Sequence, residues 1–384
     1  MLGSLRGGLS VATATALTLV LAATATAGGT PPVPSGSYTL KGTGATFPAP
    51  IYNYWESKYK NTVAGAGNDN LQYSAIGTGG GKTAVKNGTT DYGAGDAYMT
   101  AADAAGVHDG LSILHVPMII GAVTLGIHLN CTSSTITLTG ANVGDLFSGA
   151  IKKWNDAKLR TDGRNASLAN CSTKVTPVHR ADSSGTTFIF TSYLWGETTS
   201  YWSNKLNANP VPHGAQQITW PVGIGAPRNS GVATKVKNTN GGIGYMETAY
   251  AHQAKLKIAK VQNGDHSNFV LPTSAAVTAA ATSGTVAPSD LRIDPVIGAS
   301  GTNAYPIVGY TFLFIYQNCT DSKCGSHPGS LQVTQLLISY VNWALTTGQQ
   351  YASSLYYAKL PASIAAKSIQ QLHQITWNGT TVWP

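Results

Sequence analysis

Arg180, Asp182, Ser184, Gly185 and Thr186 stand together in HRADSSGTTFIFTSYLW (179–195), in a chain where only 10% of residues are charged. Arginine presents a planar fork of donors that fits two oxygens of a phosphate or carboxylate, and Asp182 two residues on is placed to hold that fork. The Ser-Ser-Gly-Thr corner precedes an apolar aromatic run, so it reads as the start of a buried helix. A helix start aims unpaired N–H groups and a positive dipole end outward. The same kind of corner recurs at Gly44-Ala45-Thr46-Phe47 and at Gly77-Thr78-Gly79-Gly80. Taken singly, each is an ordinary N-cap. Three of them beside one guanidinium point to a tetrahedral oxyanion bound largely by neutral dipoles. Asp96, in Gly95-Asp96-Ala97, reads on its own as the cap of the Ala-rich helix that follows.

The elements that must position these residues alternate between strand and helix. TLKGTGATF is a strand running into a turn, and Pro48 opens a helical pattern with Ile51, Tyr54, Trp55 and Tyr59 on one face. LQYSAIG alternates as a strand and breaks at the Thr78 corner before a short helix. SILHVPMII and VTLGIHL are consecutive buried strands. ANVGDLFSGAIKKW is a helix, a turn and a second amphipathic piece. Val333, Leu336, Leu337, Tyr340, Val341 and Ala344 follow helical spacing, with Gly348 as a stop. The Ala/Thr-rich stretch 273–288 is a biased helix or loop. Such alternation implies α/β layers, and no repeat of 20–50 residues is visible.

The bulk numbers are those of a globular, exported protein. The chain has 384 residues, enough for two lobes, with 42% hydrophobic residues and 43 glycines. Residues 1–27 hold one arginine, an apolar stretch from Val11 to Ala23 and Ala25-Thr26-Ala27, which reads as a secretory signal cleaved after Ala27. No cysteine lies near that site, so no lipid anchor is expected. The formal charge of +8 drops to +7 once Arg6 is removed. GGTPPVPSGS (28–37) reads as a flexible linker. Four cysteines in an exported chain imply disulfides, with three possible connectivities. Cys319 and Cys324 suit a local staple, leaving Cys131 with Cys171. The lysines are scattered rather than striped, which argues against nucleic-acid binding. The nine histidines lack ligand spacing, so no metal site and no cofactor are expected.

The order of KGTGATFPAPIYNYW, SAIGTGGGKTAV, DYGAGDA, VPMIIGAVTLGIHL, VGDLFSGAIKKWND, HRADSSGTTFIFTSYL, GGIGYMETAYAHQAKL and YPIVGYTFLFI resembles the PstS family, the phosphate-binding proteins of bacterial high-affinity phosphate ABC transporters. The resemblance spans roughly 38–384 and is weakest at the cysteines and at 273–305. It implies a type II periplasmic-binding-protein fold, with two α/β lobes, a two-crossing hinge and ligand in the cleft. The implied division is 38–118 and 307–384 in lobe I and 119–306 in lobe II, with crossings near 119–122 and 304–308. It also implies that Thr46, Phe47, Thr78, Asp96, Arg180, Ser184, Gly185 and Thr186 bind inorganic phosphate, that Asp182 orients Arg180, and that Asp96 accepts a proton from the ligand. The implied partners are the ligand and the membrane permease subunits, with the protein a monomer in the periplasm or an equivalent extracytoplasmic space. Many relatives carry Ser at the position of Thr78 and Gly at that of Ser183.

Two other readings belong to different classes. A carrier or sensor for another oxyanion, such as sulfate or molybdate, would use the same donors. A serine hydrolase would use Ser184, but position 182 is Asp, so the G-x-S-x-G elbow is absent, and His179 alternates with Arg180 and faces away.

Overall fold

The computed structural model describes residues 29–209, 213–283, 287–324 and 327–384. The expected leader, 1–27, lies outside the described residues. Four strands come first: β1 (Thr39–Gly44), β2 (Asn70–Ala75), β3 (Tyr92–Gly95) and β4 (Ile113–His128). Four more follow: β5 (Thr176–Arg180), β6 (Ile224–Ala226), β7 (Gly242–Glu247) and β8 (Ile307–Tyr316). They form one continuous sheet in the order β2-β1-β3-β8-β4-β7-β5-β6, and two short strands join it at β4 and β8. β1 runs parallel to β2 and β3, β5 runs parallel to β6 and β7, and β4 and β8 are antiparallel to each other between these groups.

β4 ties the two halves together. The two apolar runs expected as separate strands are a single strand, and Leu114 through Ile127 are all buried. A strand covered on both faces needs no polar alternation. Up to Ala122 its neighbour is β8, and from Val123 it is β7. Pro117, which has no N–H for a ladder, sits where the β4–β8 register slips between Thr311 and Phe312.

The β2-β1-β3 side of the sheet packs helices α1 (Ala49–Thr62) and α2 (Thr78–Lys86) on its strands. In α1 the face buries Ile51, Tyr52, Trp55 and Tyr59. Tyr52 takes the place expected for Tyr54, which instead packs edge-on against Tyr351 at 5.2 Å. The β7-β5-β6 side carries α3 (Gly140–Ser148), α4 (Gly185–Glu197) and α5 (Arg228–Lys237). After α3 the expected amphipathic piece is extended: Lys153 and Lys174 form an isolated antiparallel bridge. α4 is buried almost all round, with Phe190 stacked on Tyr245 at 4.4 Å. Near the C-terminus come α6 (Leu331–Leu345) and α7 (Ala362–Leu372). The pattern of Val333 to Ala344 is the buried core of α6. Gly348 lies inside the short helical stretch after it, where its carbonyl accepts the Trp55 indole N–H at 2.7 Å. Within 273–288, Ser274–Ala281 is a helix capped by Thr273.

Both cysteine pairs are joined, Cys131–Cys171 with Cα atoms 5.6 Å apart and Cys319–Cys324 with 5.5 Å. The stretch expected to be mobile touches the body from Gly29 on: Trp383 donates its indole N–H to the Gly29 carbonyl at 2.7 Å, and Pro34 is buried. No helix of the described residues is long and apolar enough to cross a membrane.

Candidate functional site: a cleft between the lobes

The three corners identified in the sequence follow the C-terminal ends of β1, β2 and β5 and meet beside Asp96, which follows β3. Thr46 follows β1, Thr78 opens α2, and Ser184 caps α4 with its Oγ accepting from Thr187 N–H at 3.1 Å. Thr46, Phe47, Thr78, Asp96, Arg180, Ser184, Gly185 and Thr186 are all buried. Phe47 holds its corner through its carbonyl, which accepts from Tyr357 Oη at 2.6 Å. Two glycines permit the close approach. Gly77 has φ +104, and a Cβ there would lie 2.9 Å from Asp182 Oδ2. A Cβ on Gly185 would lie 2.5 Å from the Asp96 Cβ.

The hydroxyls have a common polarity. Thr78 Oγ1 accepts from the backbone N–H of Gly185 at 3.0 Å and of Asp96 at 3.2 Å, so it bridges the two lobes. Thr46 Oγ1 accepts from Asn229 Nδ2 at 2.9 Å and from Asn229 N at 3.3 Å. Thr186 Oγ1 accepts from Asn229 Nδ2 at 3.3 Å and from Arg180 Nη1 at 3.4 Å. A hydroxyl has two lone pairs and one proton. With both lone pairs used, Thr46, Thr78 and Thr186 can act only as donors, and a site of forced donors selects an anion.

Arg180 supplies the positive charge. Its Nε donates to Asp182 Oδ1 at 2.7 Å and its Nη2 to Asp182 Oδ2, which leaves donors over on Nη1 and Nη2. Asp182 also accepts from Arg228 N at 3.0 Å. Burial pushes the Asp182 carboxyl up, but hydrogen bonding and charge from Arg180, with the Arg228 N–H, outweigh it and hold the group below the usual carboxylate range. It therefore stays ionised and clamps the guanidinium. The backbone of Arg180 is fixed in turn by its N–H to Tyr245 Oη at 3.0 Å.

Asp96 is the exception to this donor-rich lining. It does not cap the Ala-rich helix after it: Thr100 does, in a reciprocal box with Asp103. Its Oδ1 is buried with no partner among the described residues. Burial raises its pKa to about 8, against the opposing charge of Arg180 and the hydrogen bond with Thr78. Burial thus makes Asp96 a stronger proton acceptor than an ordinary carboxylate.

Asn229 escaped the sequence reading. It sits in the first turn of α5 after Pro227, and its Oδ1 accepts from Glu247 N at 3.1 Å while its amide polarises both threonines. The signal was a fourth strand-to-helix corner, Ala226-Pro227-Arg228-Asn229, which lacks the Thr and Ser of the others. Glu247 was also missed; its fully buried carboxyl lies far above its ordinary pKa because of desolvation, despite the Ala249 N–H and Tyr357.

The model of the PBP superfamily domain matches residues 22–346. The phosphate-binding protein PstS of Pasteurella multocida is 31% identical over 360 residues, which cover 90% of this chain and 93% of the relative. Among solved structures, a high-affinity periplasmic phosphate-binding protein bound with phosphate (PfluDING) superposes with TM-score 0.64 at 21% identity, covering 85% of this chain and 92% of its own. A putative phosphate ABC transporter substrate-binding protein with bound phosphate from Clostridium perfringens gives 0.54 at 15% identity, covering 85% and 100%. The fold is the two-lobed periplasmic-binding-protein fold, and the chain belongs to the PBP superfamily and, within it, to the family of the PstS phosphate-binding proteins.

Proposed function

We propose that this protein captures inorganic phosphate in the cleft between its lobes, outside the cytoplasm, and delivers it to the membrane subunits of an ABC transporter. The single observation that carries the reading is the polarity of the cleft: Thr46, Thr78 and Thr186 are saturated as acceptors beside a clamped Arg180. Donors fixed in advance bind an oxyanion without reorganising. In this reading Thr46 and Phe47 act at the start of α1, Thr78 through its hydroxyl, and Arg180, Ser184, Gly185 and Thr186 at β5 and α4. Asp182 orients the guanidinium. Asp96 pairs with the one proton that hydrogen phosphate carries.

The lobes close about the β4 and β8 crossings, with 38–118 and 307–384 on one side and 119–306 on the other. The mature protein starts after residue 27, is not lipid-anchored and acts as a monomer. The PstS relatives, named for phosphate binding, and the similar chains solved with phosphate support the ligand. A hydrolase has weaker support. Ser184 Oγ is engaged by Thr187 N–H, while the His179 ring stacks on Trp220 at 5.2 Å and its Nδ1 faces the Arg180 carbonyl.

Calorimetric titration with phosphate, arsenate and sulfate tests the proposal, alongside incubation with p-nitrophenyl phosphate. The expected result is one phosphate per chain, competition by arsenate and no release of nitrophenol. Turnover of the ester, or saturation by sulfate with no phosphate binding, would overturn it.

A further inference from the structure

Lobe II carries a second cavity, of about 820 Å3, at the end of its sheet away from the cleft. It opens beside Thr176 and Pro177 at the start of β5, whereas Arg180 ends that strand, roughly 13 Å further on. Its floor is aliphatic and buried, formed by Leu146, Ile151 and Val175. Its wall is the edge strand β6 and the residues before it. Pro221 through Gly225 are all exposed, and Val222 and Ile224 each keep 36% of their surface in solvent. β6 ends the sheet, so no described strand covers this side.

Charge at the mouth is of one sign. Lys152, Lys153 and Lys174 line it, all exposed. Lys153 and Lys174 are directly paired across the isolated bridge, where like charges destabilise one another. The neighbouring acids are engaged elsewhere: Lys158 Nζ donates to Asp145 at 2.8 Å, and Lys158 N to Asp156 at 2.9 Å. The lysines therefore form a positive rim, with no carboxylate paired to them among the described residues, around an apolar hollow.

We propose that this cavity is a second binding site, for a single-chain anionic amphiphile such as a fatty carboxylate. The chain lies against Val222, Ile224 and Pro177, and the head group is held by Lys152, Lys153 and Lys174. An apolar pocket of this size with a few convergent charged groups has the proportions of a small-molecule site. An anion there also relieves the Lys153–Lys174 repulsion.

The test is calorimetric titration of the full protein with octanoate, decanoate and dodecanoate below their micellar range. Acetate serves as a head-only control and dodecyltrimethylammonium as an opposite-charge control. One site per chain is expected, with affinity rising about fourfold per added methylene and neither control binding. Ile224→Asp, and separately the pair Lys153→Glu with Lys174→Glu, should each weaken dodecanoate tenfold or more while leaving the phosphate titration unchanged, which reports an intact fold. Affinity independent of chain length, or unaltered in both variants, overturns the proposal. Binding only to vesicles containing phosphatidylglycerol, with no monomeric site, also overturns it and makes the surface a membrane contact instead.

Discussion

On the proposed function, Asp96 sets how the cleft reads its ligand, because a carboxyl facing a bound anion is tolerable only if a proton lies between them. Phosphate brings that proton; sulfate does not, so sulfate needs Asp96 in its acid form. Burial raises the group to about 8, so the acid form is present at neutral pH and is lost above it. Sulfate affinity should therefore fall about tenfold per pH unit above pH 8, while phosphate affinity changes much less. The measurement is paired titration from pH 6 to 10 at fixed salt. In Asp96→Asn the amide donates at every pH, so the selectivity profile should flatten; parallel profiles for the two anions in the parent protein would refute proton reading. Arg180 contributes through shape as well as charge. Arg180→Lys keeps the cation but cannot both fill the Asp182 clamp and reach Thr186. The loss of a charge-assisted hydrogen bond, about 1.5–3 kcal/mol, predicts roughly ten- to a hundred-fold weaker phosphate binding, checked by the same calorimetry with circular dichroism as the folding control.

Helix starts are the working parts at the next scale. α2 and α4 touch across the cleft, with Gly79 N–H donating to the Ser183 carbonyl at 3.3 Å and Gly185 N–H to Thr78 Oγ1 at 3.0 Å. Gly185 has an ordinary helical backbone, so alanine suits α4 itself, yet its Cβ would stand 2.5 Å from the Asp96 Cβ. Gly185→Ala should leave the thermal midpoint close to that of the parent and still weaken phosphate. Overpacking costs about 1–3 kcal/mol, or roughly 5- to 150-fold in affinity. Unchanged affinity would mean that the lobes do not approach this closely when the ligand is held. The Thr78 methyl packs beside Gly95, where an added Cβ would lie 2.9 Å from Thr78 Cγ2. The extra carbon relative to serine thus fills space next to β3 without displacing the hydroxyl from its Gly185 and Asp96 contacts.

Closure is a property of the whole molecule, and it couples to pH through the groups it buries. We expect phosphate to reduce the radius of gyration measured by solution scattering, as β4 and β8 bend between otherwise unchanged lobes. Saturating phosphate without compaction would remove the hinge. With α4 packed over Asp96, Asp96 and Glu247 both have folded-state pKa values raised above their ordinary ones. Such groups add stability that is complete below the unfolded pKa and is lost as pH rises through the folded one. The thermal midpoint of the ligand-free protein should therefore decline from about pH 5 to pH 9, and Asp96→Asn should reduce that slope. A midpoint rising over this range in the parent would contradict the assignment. On the proposed lobe division neither disulfide spans the two crossings: Cys131–Cys171 falls within 119–306 and Cys319–Cys324 within 307–384. The 40-residue separation of the first makes it worth about 4 kcal/mol on the chain-entropy model.

The amino-acid sequence by itself determined the chemistry of the corners. Cap residues, glycines and the spacing of Arg180 and Asp182 act over a few residues, so Thr46, Thr78, Ser184 and Thr186 were legible where they stand. Helical periodicity likewise exposed α6, because a buried face repeats along one element. What the tertiary structure decided depends on distant partners. The donor polarity of Thr78 comes from Gly185, 107 positions away, and that of Thr46 from Asn229, 183 away. That 113–128 is one strand follows from its burial on both faces and its change of neighbour at Ala122. Tyr52 replaced Tyr54 in the core because the packing of α1, not its pattern alone, chose the inward side. The pKa of Asp96 is the sharpest case. In the sequence it is one carboxylate after a glycine, and only the closing of α4 over it removes the water that would have kept it ionised.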